Sequence, residues 1–251
     1  MAVALAYGYH AVSAVFARAP HSLTELWVQA SRDDHKVQPL LAMAERLRVP
    51  IHRVPRKVLD TLVGGARHQG IIVRCAPGAQ SARTTLEAVL AACSESPLVL
   101  VLDGVQDPHN LGACLRTADA SGVHAVVAPK HRAASLTPAA RKVACGAAET
   151  VPFLSVTNLS RTLTWLREAG LLVVGAVPEA GQVVYETDLT GPLAMVIGGE
   201  ERGLRRLTRE YCDCLVRIPM VGKVASLNVS VAAGVLLYEA RRQRLGRPMP
   251  R

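Results

Sequence analysis

Aromatic residues make up only 4% of this 251-residue chain. A core built from it is therefore aliphatic, and stacking of bases on an aromatic platform is a poor choice for its main binding mode. The six cysteines, at 75, 93, 114, 145, 212 and 214, form no C-x-x-C pair, and Cys212-Asp-Cys214 is too tight for ordinary zinc spacing. Reduced, buried, inert thiols are expected, with no metal. Five of the eight histidines, His10, His21, His35, His52 and His68, fall irregularly in the first 75 residues, which suits surface or polar contacts rather than a metal site. No G-x-G-x-x-G follows a strand-like run. Gly198 to Gly203 has G-x-x-x-x-G spacing, but Leu204 and Arg205 stand where a phosphate loop needs Lys and Ser or Thr. Dinucleotide and nucleoside-triphosphate loops are thereby excluded. No apolar run approaches a membrane span. The opening MAVALAYGYH lacks the basic start and the apolar length of a secretion signal. The expectation is a soluble, cytoplasmic protein with no membrane partner.

What is present in quantity is aliphatic bulk and positive charge. Half of the residues are hydrophobic, enough for a sizeable core, and the length allows one large domain or two modest ones. Lys and Arg number 29 against 20 Asp and Glu, a net charge of +9. Residues 1–75 carry ten against five, 76–95 one against two, and 96–251 eighteen against thirteen. The excess is spread over both halves and forms no tail. That favours a folded surface meeting a polyanion, most simply nucleic acid, over a basic protein with no such partner.

Residues 1–75 alternate between helical and extended patterns. YHAVSAVFAR, VQPLLAMAERLR and RKVLDTLVG read as helices; LTELWVQ, VPIHRV and GIIVRC read as strands. This is a small α/β domain. APGAQSARTT then has linker composition, and LEAVLAACSE suits a helix leading out of it, so residues 76–95 are read as the boundary. From 96 to 251 the apolar runs are continuous: 97–102, 123–128, 170–177, 193–198 and 214–219. Runs that do not alternate suit strands covered on both faces, hence a parallel sheet. Helical segments at 110–121, 137–145, 158–169, 203–210 and 226–244 intervene, and a doubly wound sheet is the default topology. Ligands then sit beyond the carboxyl ends of the strands.

Three junctions carry polar chemistry at those ends. After 97–102 comes a polar loop to Asn110, a candidate N-cap, then Gly112 and the lone basic residue of its helix, Arg116. After 193–198 comes Gly198-Gly199-Glu200, where missing Cβ atoms let a ligand approach the main chain. Its acidic charge suits a neutral or cationic ligand. After 214–219 come Gly222, Lys223, Ser226, Asn228 and Ser230, a polar entry to an apolar helix. Ser226 alone is readable as a cap; the cluster asks for a polar ligand.

These residues resemble a known family. NLGACLRTADASG (110–122), VIGGEERGL (196–204) and IPMVGKVASLNVSVAAGVLLYEA (218–240) are similar to the three motifs of the SpoU (TrmH-type) branch of the SPOUT RNA methyltransferases. YGYHAV, HQGIIVR and KVACGAAETVPFLSVTNLSRTL resemble its bacterial members that methylate a guanosine ribose in 23S rRNA, and the likeness covers nearly the whole chain. The resemblance implies an α/β fold whose catalytic domain (96–251) carries a deep trefoil knot, in place of the doubly wound default. Residues 1–75 would be an L30e/L7Ae-like RNA-binding domain. S-adenosylmethionine would sit in the knot, held at Gly198, Ile218 and Leu227 and at Gly199, Met220 and Ser226. The enzyme would be a homodimer acting on the peptidyl-transferase region of 23S rRNA, free or in a ribosome-assembly intermediate.

The same resemblance assigns catalysis to Asn110, Arg116, Glu200 and Asn228. A guanidinium stays protonated above pH 12, so Arg116 is read as binding the phosphate beside the target ribose and easing oxyanion charge. Glu200 and Asn228 would position Arg116 and the ribose, from different subunits. The family usually has a small residue after the motif glutamate; Glu201 and Arg202 stand there instead. The competing readings are a tRNA guanosine 2′-O-methyltransferase and a non-catalytic rRNA-binding assembly factor.

Overall fold

The computed structural model describes residues 4–18, 20–32, 35–76, 85–200 and 202–246. The chain forms two compact units, Met1–Arg83 and Thr84–Arg251.

The first unit runs β1 (Ala4–Tyr7), α1 (Tyr9–Arg18), β2 (Leu23–Gln29), α2 (Gln38–Arg46), β3 (Ile51–Val54), α3 (Arg56–Leu62) and β4 (Ile71–Cys75), with sheet order β1-β4-β2-β3. β2 and β3 are parallel; β4 runs against β1 and β2. Ile71, Ile72 and Val73 are fully buried because β4 is covered on both faces. Leu26 and Val28 meet the α1–α2 core, while Trp27 faces Leu59 and Ile72 on the α3 side. Trp27 stacks with His52, ring centroids 5.3 Å apart, and the Arg74 guanidinium lies 4.7 Å from its ring centroid. Scarce as they are, the aromatics here fill a core and hold a cation.

The second unit begins inside the segment read as a linker. Of that segment, 77–84 lie outside the described residues, and α4 (Leu86–Ala91), capped by Thr85, seats Leu86 in a buried cluster. There follow β5 (Leu98–Asp103), α5 (Pro108–Ala120), β6 (Ala125–Pro129), α6 (Pro138–Ala144), α7 (Ala147–Thr150), β7 (Phe153–Val156), α8 (Leu159–Glu168), β8 (Leu172–Ala176), β9 (Gln182–Val183), β10 (Leu193–Gly198), α9 (Arg206–Glu210), β11 (Cys214–Arg217) and α10 (Val229–Leu245). All strand pairs in this sheet are parallel, in the order β7-β6-β5-β10-β8-β11-β9. β5 is buried at every position, as its unbroken apolar run requires. One apolar layer joins the sheet to α5, α6 and α10; the other joins it to α4 and α8.

The order is not the doubly wound default. β10 enters between β5 and β8, and β11 enters between β8 and β9, places flanked by strands already laid down. Residues 218–228 then return across the ends of β8 and β10 to α10, which packs on α5. This is the course expected of the α/β-knot fold. The return is latched: the Arg244 guanidinium donates to the carbonyls of Ser96, Pro97, Leu189 and Gly191.

Candidate active site at the carboxyl edge of the sheet

α5 starts two residues earlier than read. Asp107 caps it by accepting from the His109 amide at 2.9 Å, and Pro108 supplies the pre-set φ of the first helical position. Asn110 is thus freed from capping, and its side chain points across the sheet edge. Its Nδ2 donates to the Glu200 carboxylate, and its Oδ1 accepts from Asn228 Nδ2 at 3.1 Å. Asn228, not Ser226, caps α10: its Oδ1 accepts from the Ser230 amide at 3.0 Å and from the Ser230 hydroxyl at 2.6 Å. Residues 110, 200 and 228, distant in sequence, form one hydrogen-bonded line.

The glycines after β10 serve a different end from the one their sequence suggests. A Cβ on Gly198 would lie 2.0 Å from the Gly203 carbonyl carbon, and one on Gly199 would lie 2.3 Å from the Gly104 carbonyl oxygen. Backbone, not ligand, fills those directions. Gly203 does not open a helix; with φ of +58° it turns the chain, and α9 begins at Arg206. The loop so compressed becomes a wall shared by two cavities.

The first cavity, about 300 Å³, is lined by every residue expected to hold the cofactor: Gly198, Gly199, Ile218, Met220, Ser226 and Leu227. Its β11–α10 side is apolar, with Ala225 and Val229 beside those residues. Its β8–β10 side is charged, with Glu179 ion-paired to Arg209, and with Glu200 and Arg202. The carboxyl of Glu179 is held below the usual range by its own backbone amide and by Arg209. Pro178 and Glu179 went unread in the sequence, although they follow the strand read at 170–177. The mixed lining fits an adenosine joined to a charged tail.

The second cavity, about 630 Å³, shares Gly199, Glu200, Arg202 and Gly203 with the first. Asn110, Arg132 and Arg205 also line it, as does Asp103, whose side chain is buried at the end of β5. Asp103 Oδ2 accepts from the Arg205 amide at 3.0 Å. Its Oδ1 lies 3.2 Å from Arg205 Nε, within ion-pair distance but outside hydrogen-bond geometry. Arg205 is thereby anchored with its head half exposed.

Arg116 stands apart. It is exposed on α5, six residues and about 9 Å of helix rise beyond Asn110. Its Nη1 is 3.6 Å from Cys145 Sγ, and within the chain it bonds neither Glu200 nor Asn228. Cys145 itself is exposed, against the expectation that the thiols are buried. Cys114 follows that expectation and Cys212 is only partly buried. Loss of hydration raises both thiols to about 12, helped at Cys114 by Glu200 and at Cys212 by Cys214, Asp213 and Asp103. Glu201 lies outside the described residues.

A cleft where loops after three parallel strands meet, beneath late-inserted strands, is the active-site architecture of a knotted α/β enzyme. Family comparison makes it specific. Residues 97–238 match the model of the SpoU rRNA Methylase family, and residues 5–80 match that of RNA 2′-O ribose methyltransferase substrate binding. The chain belongs to the SpoU family. It is 52% identical, over 95% of its length and 96% of the relative's, to a Pseudomonas putida protein named 23S rRNA (guanosine-2′-O-)-methyltransferase RlmB. An Escherichia coli K12 protein of the same name is 51% identical over 95% and 98%. The SpoU methyltransferase AviRb of Streptomyces viridochromogenes, solved in complex with AdoMet, superposes with a TM-score of 0.77 at 26% identity, covering 98% of this chain and 92% of that one. A TrmH/SpoU tRNA modifying enzyme of A. aeolicus is 32% identical with a TM-score of 0.55, covering 60% and 78%.

Proposed function

We propose that this protein methylates the ribose 2′-hydroxyl of a guanosine in 23S rRNA, using S-adenosylmethionine, in the cytoplasm. The observation that carries this reading is the Asn228–Asn110–Glu200 line, which ties all three motif segments to the wall between the two cavities. The cofactor supplies a methyl group already activated by a positive sulfur, so no metal is needed. Ile218 and Leu227 would cover the adenine faces, and main-chain groups at Gly198, Gly199, Met220 and Ser226 would satisfy its edge.

The second cavity receives the acceptor nucleoside, with Arg132, Arg202 and Arg205 near its phosphates. A ribose hydroxyl barely ionises at neutral pH and needs a polarising acceptor. Glu200 is that acceptor: Asn110 donates to one oxygen and leaves the other for the hydroxyl. Asn228, its groups spent on Asn110 and the α10 cap, acts as a positioning residue. Arg116 reaches the site from the partner protomer, where it binds the phosphate beside the target ribose and stabilises developing oxyanion charge.

The homodimer this requires is supported by an apolar stripe on α10, where Val231, Tyr238 and Leu245 recur every seven residues and are 51%, 52% and 71% exposed. The first unit selects the RNA. The tRNA modifying relative aligns with only 60% of the chain, a share that fits the second unit alone and favours rRNA as the target here. The test is methyl transfer to unmodified 23S rRNA and to tRNA, with the product mapped by 2′-O-methyl footprinting. Modification of one 23S guanosine and none of tRNA is expected; the reverse, or binding of RNA with no transfer, overturns the reading.

A further inference from the structure

We infer that Glu179 and Arg209 form the recognition site for the α-amino-acid tail of the cofactor. The inference rests on the methyltransferase reading of the first cavity.

The pair closes the charged side of that cavity. Glu179 stands on the loop after β8 and Arg209 on α9, joined by their side chains. Arg209 is fixed from behind, its Nε donating to the Leu204 carbonyl at 3.0 Å, and its head lies 3.9 Å from the Cβ position of Gly203. The Glu179 side chain is 59% exposed and that of Arg209 33%. An ion pair that open to water contributes little to stability. A structural role is therefore a weak reason for its presence at a cavity mouth.

The chemistry of the tail matches it. A methionyl group presents an ammonium and a carboxylate a few ångströms apart. Glu179 offers acceptors to the first, and Arg209 offers a planar fork of donors to the second. The opposite wall, formed by Ile218, Met220, Ala225 and Leu227, offers no charged group and suits the adenine. The two sides fix the direction in which the ligand lies. The sulfur would then lie between them, toward the Gly199–Glu200 wall shared with the acceptor cavity. A carboxylate binding ribose hydroxyls would explain Glu179 alone and leave Arg209 without a function.

Calorimetry on the full chain with two ligands tests this. S-adenosylhomocysteine keeps the amino-acid tail; 5′-methylthioadenosine lacks it. Glu179→Gln, nearly isosteric, and Arg209→Lys, which keeps the charge but loses the fork, are each expected to weaken S-adenosylhomocysteine roughly tenfold or more, about 1.4 kcal/mol. Both should leave methylthioadenosine within about twofold of wild type. Equal weakening of the two ligands, or no weakening of either, overturns the inference, because a pair that merely shapes the loop cannot tell them apart. Failure of the wild type to bind either ligand instead overturns the methyltransferase reading.

Discussion

Among the described residues the Glu200 side chain is held by Asn110 through one oxygen, beside the acceptor cavity, which makes its charge the quantity to remove. Glu200→Gln keeps size and loses the acceptor strength, so kcat should fall roughly 10²-fold while the Kd for S-adenosylhomocysteine stays near wild type. A parallel loss of ligand affinity would place Glu200 in cofactor binding instead. Two raised thiols set a limit in alkali. Cys114 and Cys212 are raised to about 12, so the folded state resists forming their thiolates while the unfolded chain does not. Their contribution is fully present below the ordinary thiol value and is lost as pH rises from about 9 toward 12. Stability measured by urea unfolding should decline over that window, and Cys114→Ala should flatten the decline while lowering stability at pH 7. The residue types of the site were legible in the sequence: Asn110, Glu200 and Asn228 do meet. Their hydrogen-bond roles were not, because Asn, Ser and Asp all cap helices and only geometry shows that Asp107 caps α5 and Asn228 caps α10.

Helices α5 and α6 pack closely because Gly112 leaves no side chain between them; a Cβ there would sit 2.4 Å from the Ala140 carbonyl oxygen. Backbone cannot move aside as a flexible side chain does. Gly112→Ala should therefore cost about 1–3 kcal/mol, read as a drop in thermal midpoint, and should also reduce activity by tilting α5, which carries both Asn110 and Arg116. A variant of unchanged stability would show that α6 yields. At this scale the sequence was informative where periodicity was long or apolar runs unbroken: α1 at Tyr9–Arg18 and β2 at Leu23–Gln29 fall on the segments read as helix and strand. β1, β7, β9 and α7 went unread. They are four, four, two and four residues long, too short to establish a period.

Strand order is a property of the whole chain, and local pattern does not encode it. Nothing in LAMVIG or CLVRIP says that these strands enter between earlier ones; the resemblance of the motifs to a knotted family carried that expectation. The site is similarly divided. If Arg116 of one protomer serves the cleft of its partner, Arg116→Ala and Glu200→Gln each lack a working site as homodimers. Mixed after reversible dissociation, they should regain roughly a quarter of wild-type activity, since half of the dimers are mixed and each restores one site of two. Additive inactivity would confine the site to single chains, and sedimentation as a monomer would remove the basis for it.

The Arg244 latch lies eighteen residues after the start of the polar helix entry at Ser226, and it grips carbonyls that precede both β5 and β10. During synthesis, the strands flanking the empty sheet positions leave the ribosome before the segment that completes the cleft. A polypeptide released before Leu227 carries the residues of every described strand yet lacks Leu227 and Asn228. Such a chain loses both the Leu227 wall of the first cavity and the Asn228 link to Asn110, and is expected to transfer no methyl group.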